Sequence, residues 1–189
     1  MSENLRSYVR AIYGLDHVLR LVADDAWDNP SPCEGWSVRD VTGHAIGVVA
    51  NVAARTGMGE LLDVFADNPG RIAGDDPYAS WFEIRNTVLE ALDRPGVLQG
   101  TVESTLGAMP VDTFIANMCA DAVIHTWDIA RGAGVDERLD ASLVGYVDGI
   151  IRGRDESVNR APRRFTAALD AGDATDAQTR MLAFAGRRV

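Results

Sequence analysis

The chain has 189 residues, of which 47% are hydrophobic and 24% are charged, the composition of an ordinary globular protein with a core of its own. Its formal charge of -10 at pH 7 argues against binding to nucleic acid or to an anionic membrane surface. Every basic residue other than histidine is an arginine, so lysine-based Schiff-base and phosphate-loop chemistry is excluded.

The first two predicted helices follow from apolar residues spaced three and four positions apart. The first helix covers residues 3–24, and His17 falls opposite its apolar stripe, where we expect it to contact solvent. Ser37 and Asp40 have the spacing of a capping box and predict the start of the second helix. This second helix carries His44 at the edge of its core stripe.

The middle of the chain is predicted to contain a loop, a third helix and a non-helical segment. The loop contains a predicted helical turn over residues 60–67. Asp76 as N-cap, followed by Pro77 in the first turn, predicts the third helix. Residues 97–111 lack a helical period and predict either a short hairpin or an extended crossover.

Three further helices are predicted in the last third of the chain. Asp112 is predicted to be the N-cap of a helix that runs to about Arg131, and another helix covers about residues 140–152. Thr175 and Gln178 have capping-box spacing before a last short helix. Because no β-branched run separates the helices, no parallel sheet is expected, and the chain is predicted to be an all-α bundle.

The stretch "DAVIHTWD" places Asp121 and His125 four residues apart on a helix that is apolar on nearly every side. Such a helix belongs at the centre of a bundle, so we expect both side chains to be buried. A buried carboxylate is costly unless it is paired or bound to a metal. From this spacing alone, a hydrogen-bonded buried pair and a metal site are equal alternatives.

His44 adds a third candidate ligand from a different helix. Helix bundles form metal sites from side chains on facing helices. His44, Asp121 and His125 therefore predict a site with three protein ligands and open positions for water or substrate, which is typical of catalytic metal sites. Two imidazoles and one carboxylate suit zinc, ferrous iron, nickel or manganese.

Three other side chains near this set carry weaker signals. Asp128 lies three residues after His125, and we expect it to pair with an imidazole N–H or with Arg131. Cys33 is interpreted as a small apolar loop residue, with a reactive thiol as the alternative. Cys119 is interpreted as a core residue.

The sequence contains no sign of export or of membrane insertion. The N-terminus "MSENLRSYVR" lacks the apolar core of a signal peptide, and no apolar run approaches the roughly 18 residues of a spanning helix. The two cysteines form neither a CxxC motif nor a disulfide framework. We therefore expect a cytoplasmic, reduced protein.

Three segments resemble a known family. "SPCEGWSVRDVTGHAIG" and "DAVIHTWDIARGAG" are similar to two signatures of the N-terminal domain of mycothiol-dependent maleylpyruvate isomerases. "MLAFAGRR" is similar to the closing segment of a short, single-domain branch of the same group, within the DinB/YfiT-like metalloprotein superfamily. The resemblance implies an all-α, DinB-like four-helix bundle with short extra helices, as one domain over residues 1–189 without a C-terminal second domain.

By motif position, the resemblance implies His44, Asp121 and His125 as ligands of a divalent metal, with zinc first and nickel, iron or manganese as alternatives. It implies mycothiol as a co-substrate, a small-molecule substrate, and a homodimer as a common assembly. The implied activity is that of a thiol-dependent S-transferase or isomerase in which the metal activates the thiol. The alternative is a non-catalytic metal-binding or ligand-sensing bundle.

Overall fold

The computed structural model describes residues 1–65, 67–105, 107–162, 164–174 and 176–189, and most of them are helical. The helices are α1 (Glu3–Leu19), α2 (Val38–Arg55), α3 (Gly70–Ala73), α4 (Pro77–Asp93), α5 (Val111–Ala133), α6 (Ala141–Gly153), α7 (Glu156–Asn159) and α8 (Ala177–Phe184). The strands β1 (Thr101–Ser104) and β2 (Gly107–Pro110) form an antiparallel hairpin before α5. The prediction of an all-α, DinB-like fold is confirmed.

The central helix is α5, which packs against α1, α2 and α6. Its Ile115, Ile124, Trp127 and Ile129 side chains are at most 1% exposed. Full burial of a large apolar side chain stabilises the fold by roughly 1.5–3 kcal/mol. The four long helices α1, α2, α4 and α5 form the bundle. No helix among the described residues is long and apolar enough to cross a membrane.

Two predicted helix starts are confirmed in atomic detail. The Ser37 hydroxyl accepts a hydrogen bond from the Asp40 N–H at 3.2 Å, and the Asp40 carboxylate accepts one from the Ser37 N–H at 3.0 Å. The Asp76 side chain accepts a hydrogen bond from the Ala79 N–H at 2.9 Å, with Pro77 in the first turn of α4. Both starts depend on residues close in sequence, which is why the pattern identifies them.

The end of α1 and the start of α5 differ from the prediction. Helix α1 ends at Leu19 rather than near residue 24. Helix α5 begins after Pro110, and Asp112 lies inside its first turn without a capping role. The Asp112 carboxylate instead accepts hydrogen bonds from the Ser2 hydroxyl and from the Asn4 amide, the latter at 2.8 Å. This carboxylate joins the start of α5 to the start of α1.

Of the predicted helical turn over residues 60–67, the described residues form only a turn at residues 64 and 65, and the short helix α3 lies further along the chain. The hairpin alternative for residues 97–111 is the one observed. Thr175 lies outside the described residues. The N-cap of helix α8 is Asp176, whose carboxylate accepts a hydrogen bond from the Thr179 N–H at 2.8 Å.

Gly43 permits close contact between α2 and the start of α3. A Cβ at this position would lie 2.0 Å from the Pro69 carbonyl oxygen, so Gly43→Ala requires the two backbones to separate. We expect it to lower the free energy of unfolding by about 1–3 kcal/mol in urea denaturation. Gly145→Ala on α6 is the matched control, since nothing lies within 4 Å of its Cβ. It should stabilise the protein by about 0.5–1 kcal/mol, and equal losses in both variants would contradict the packing argument.

Candidate metal centre

The structure brings the three predicted ligands together between α2 and α5. The Asp121 Oδ2 atom lies 3.6 Å from His44 Nε2 and 3.7 Å from His125 Nε2. The imidazole centroids of the two histidines are 5.0 Å apart. One donor atom from each of the three residues lies within 4.8 Å of the other two.

Both imidazoles are oriented by hydrogen bonds on the side away from Asp121. His44 Nδ1 lies 2.9 Å from the Val64 carbonyl oxygen, and His125 Nδ1 lies 2.9 Å from Asp128 Oδ2. A carbonyl and a carboxylate oxygen only accept, so each Nδ1 carries the proton. These hydrogen-bond partners therefore define the tautomer of both rings. In a neutral ring, each Nε2 therefore presents a lone pair toward Asp121.

The geometry fits a shared cation. Two imidazole lone pairs and one carboxylate converge on the same point, and none of these acceptors can donate to another while the rings are neutral. Their separations of 3.6 and 3.7 Å exceed the length of a normal hydrogen bond. Atoms coordinated tetrahedrally at the usual zinc distances are about 3.4 Å apart, which is close to these separations.

The charges of the group are coupled. Burial lowers the pKa of His44, but the Asp121 carboxylate and the Val64 carbonyl raise it more, so this pKa lies above its ordinary value. Burial raises the pKa of Asp121, but the two histidines and Arg187 lower it more, so this pKa lies below its ordinary value. Both directions mean that a charged His44 imidazole and the ionised Asp121 carboxylate stabilise each other.

Asp128 supports His125 from the interior. Its side chain is fully buried and accepts hydrogen bonds from His125 Nδ1 and from the guanidinium of Arg187. Burial raises the pKa of Asp128, but these hydrogen bonds lower it to about 2. The expectation that Asp128 pairs with an imidazole is met, and Arg131 pairs with Glu137 instead.

Cys33 lies in the loop before α2, where its side chain contacts Asp128. Its thiol donates to Asp128 Oδ2 at 3.3 Å, and Arg187 Nη2 lies 3.3 Å from the sulfur. Burial and the Asp128 carboxylate raise the pKa of the Cys33 thiol far above its usual value. These surroundings favour the thiol over the thiolate, and the thiolate is the nucleophilic form of cysteine.

The surroundings of the group are mostly apolar. The rings of Trp36 and Phe65 lie 5.2 and 5.9 Å from the His44 ring, and the side chains of His44 and His125 are 6% and 11% exposed. The Asp121 side chain is 28% exposed, so solvent reaches the group along this carboxylate. The third histidine, His17, is exposed on α1 as predicted.

Helix bundles bind metals through imidazoles and carboxylates on facing helices, so this group is a candidate metal site. The chain belongs to the mycothiol maleylpyruvate isomerase N-terminal domain family, whose model matches residues 10–130. This match covers most of the chain and includes all three candidate ligands.

Two curated relatives and one solved structure are similar to the chain. The uncharacterized proteins MT0763 and Rv0738 of Mycobacterium tuberculosis, from strains CDC 1551 and H37Rv, are each 26% identical over 139 residues, which cover 74% of this chain and 72% of theirs. The crystal structure of the mycothiol-dependent maleylpyruvate isomerase is 14% identical, with a TM-score of 0.51 over 79% of this chain and 68% of that one. The structural likeness supports the fold.

Proposed function

We propose that the chain binds one divalent metal ion through His44, Asp121 and His125 and acts as a thiol-dependent S-transferase or isomerase. The observation that carries the proposal is the convergence of three acceptors, two of them with tautomers fixed by Val64 and Asp128, on one point at which they could together hold a cation. The donor set suits zinc, nickel, iron and manganese alike, and the resemblance to the family puts zinc first. Membership of a family named for mycothiol supports that compound as the thiol.

Each residue of the group has a distinct task in this proposal. The Nε2 atoms of His44 and His125 and the carboxylate of Asp121 hold the ion, which when bound would act as a Lewis acid that keeps a thiol ionised. Asp128 and the Val64 carbonyl keep the rings oriented. The partly exposed side of Asp121 is where a thiol and a small-molecule substrate would approach.

The metal is tested by elemental analysis of protein purified without an affinity tag. We expect about one equivalent of a divalent metal, most simply zinc, in the wild type and none in His125→Ala, because that variant removes one of three ligands. His17→Ala is the matched control, since His17 is exposed and far from the group in sequence. Absence of metal from the wild type after incubation with zinc would contradict the proposal.

The alternative is a non-catalytic metal-binding or ligand-sensing module. A ligand of such a module could bind in one of two open depressions of about 350 Å³, one near the C-terminus and one near the N-terminus, which are lined by other residues than the three candidate ligands. Calorimetric titration of the zinc-loaded protein with mycothiol distinguishes the two functions. The enzyme requires thiol binding that is lost in His125→Ala, and metal without thiol binding supports the module.

A further inference from the structure

The segment after α8 turns back toward α5 through a defined helix end. The Gly186 N–H donates to the Ala183 carbonyl at 3.0 Å, and the Arg187 N–H donates to the Leu182 carbonyl at 2.8 Å. Gly186 has a φ of 79°, the left-handed conformation that this C-terminal motif requires. The position of Arg187 is therefore fixed by the end of α8.

Arg187 forms a two-point contact with the buried carboxylate of Asp128. Its Nε donates to Oδ1 at 2.9 Å, and its Nη2 donates to Oδ2 at 2.8 Å. The Arg187 side chain is 10% exposed and the Asp128 side chain 0%. A paired fork of this kind fixes the plane of a carboxylate as well as its position.

The same carboxylate holds the ring of His125. Asp128 Oδ2 lies 2.9 Å from His125 Nδ1, and the opposite nitrogen of that ring is a candidate metal donor. We propose that Arg187 is a positioning residue of the metal centre: through Asp128 it sets the orientation of His125. The inference rests on the proposed function, because it concerns the affinity of that site for its ion.

The alternative role for Arg187 is to anchor the end of the chain without affecting the site. Under that alternative, any residue that keeps the segment in place would serve equally well. Under the proposal, the forked guanidinium is required, since lysine offers a single point contact and leaves the carboxylate free to rotate. Substitution of groups that orient a metal-ligating histidine typically lowers metal affinity about 10–100-fold.

The test is a zinc competition titration of the full chain, with the visible spectrum of the cobalt-substituted protein as a second readout. We expect Arg187→Gln to bind zinc about 10–100-fold more weakly than the wild type and to change the cobalt spectrum, because the His125 ring is no longer fixed. Arg187→Lys should shift both readouts in the same direction. The neighbouring Arg188 is exposed, so Arg188→Gln is the matched control and should match the wild type.

The outcomes separate the positioning role of Arg187 from the existence of the metal site. Wild-type affinity and spectrum in Arg187→Lys, or in a folded Arg187→Gln, would overturn the positioning role while the metal site stands. Loss of affinity in both, with Arg188→Gln unchanged, supports it. If the wild type itself binds no zinc, the proposed function fails and the inference fails with it. Far-UV circular dichroism of each metal-free variant identifies any that does not fold.

Discussion

Asp16→Ala is expected to lower the free energy of unfolding by about 3–5 kcal/mol, since it leaves a buried cation without its counter-ion. Asp16 lies on α1 and is 5% exposed, and Arg85 on α4 is 9% exposed. Arg85 Nη1 donates to Asp16 Oδ1 at 2.6 Å, and Trp81 Nε1 donates to the same oxygen at 3.2 Å. The carboxylate thus connects α1 to α4 and satisfies two buried donors.

Urea denaturation measures this loss, and a surface pair provides the control. Asp148 and Arg152 form an ion pair at 2.7 Å on α6, with side chains 34% and 45% exposed. Exposed pairs of this kind contribute about 0–1 kcal/mol, so Asp148→Ala should change stability by no more than that. A similar small change in both variants would mean that Arg85 finds other partners when Asp16 is removed.

The contrast between Asp40 and Asp112 shows which helix boundaries the sequence could predict. The Asp40 carboxylate bonds to a residue three positions away, so its role is visible in a short pattern. The partners of Asp112 are Ser2 and Asn4, more than 100 positions away, and only the packed bundle brings them together. A polar residue near a helix start therefore predicts a cap only when no tertiary partner competes for it.

The loop before α3 also shows that tertiary hydrogen bonds can override a weak helical pattern in the sequence. The Leu62 N–H donates to the Asn51 side chain at 2.7 Å, and the Leu62 carbonyl accepts from it at 2.9 Å. The Val64 carbonyl accepts from His44. In an isolated helical turn these backbone N–H and carbonyl groups would bond to one another. Here they bond to side chains of α2, and no local sequence pattern predicts such long-range partners.

The sequence could predict that the three candidate ligands lie together, but not which residues hold them in place. His44 lies on one helix and Asp121 and His125 on another at a spacing of four, so helical periodicity alone indicates a shared face. Arg187 is 59 positions from Asp128, and its only local signal is the glycine before it, which predicts a helix end without saying what the next side chain contacts. Long-range hydrogen bonds of this kind come from the packed structure.

Asp121→Asn separates a metal ligand from a structural ion pair, because the two roles predict opposite changes in stability. If Asp121 is a ligand, the metal-free wild type holds three converging acceptors without an ion. An asparagine amide of the same shape offers N–H donors to the Nε2 atoms of His44 and His125. At a pH at which both imidazoles are neutral, we therefore expect the metal-free variant to be at least as stable as the metal-free wild type, and to have lost its response to zinc.

The loss of stabilisation by zinc is expected to be larger than the change in stability of the metal-free protein. A ligand that binds only the folded state at 1,000 times its dissociation constant stabilises that state by about 4 kcal/mol. Thermal unfolding with and without zinc should show a gain of this order in the wild type and no gain in Asp121→Asn. Asp121→Glu keeps the charge on a longer side chain and should retain part of the gain.

The contrary result has an equally definite meaning. If Asp121 serves as the counter-ion of charged histidines, Asp121→Asn leaves buried positive charge uncompensated and should destabilise the metal-free protein by about 3–5 kcal/mol. The wild type would then gain nothing from zinc. Because the 3.6 and 3.7 Å separations leave room for an ion and are too long for direct hydrogen bonds, we expect the first result.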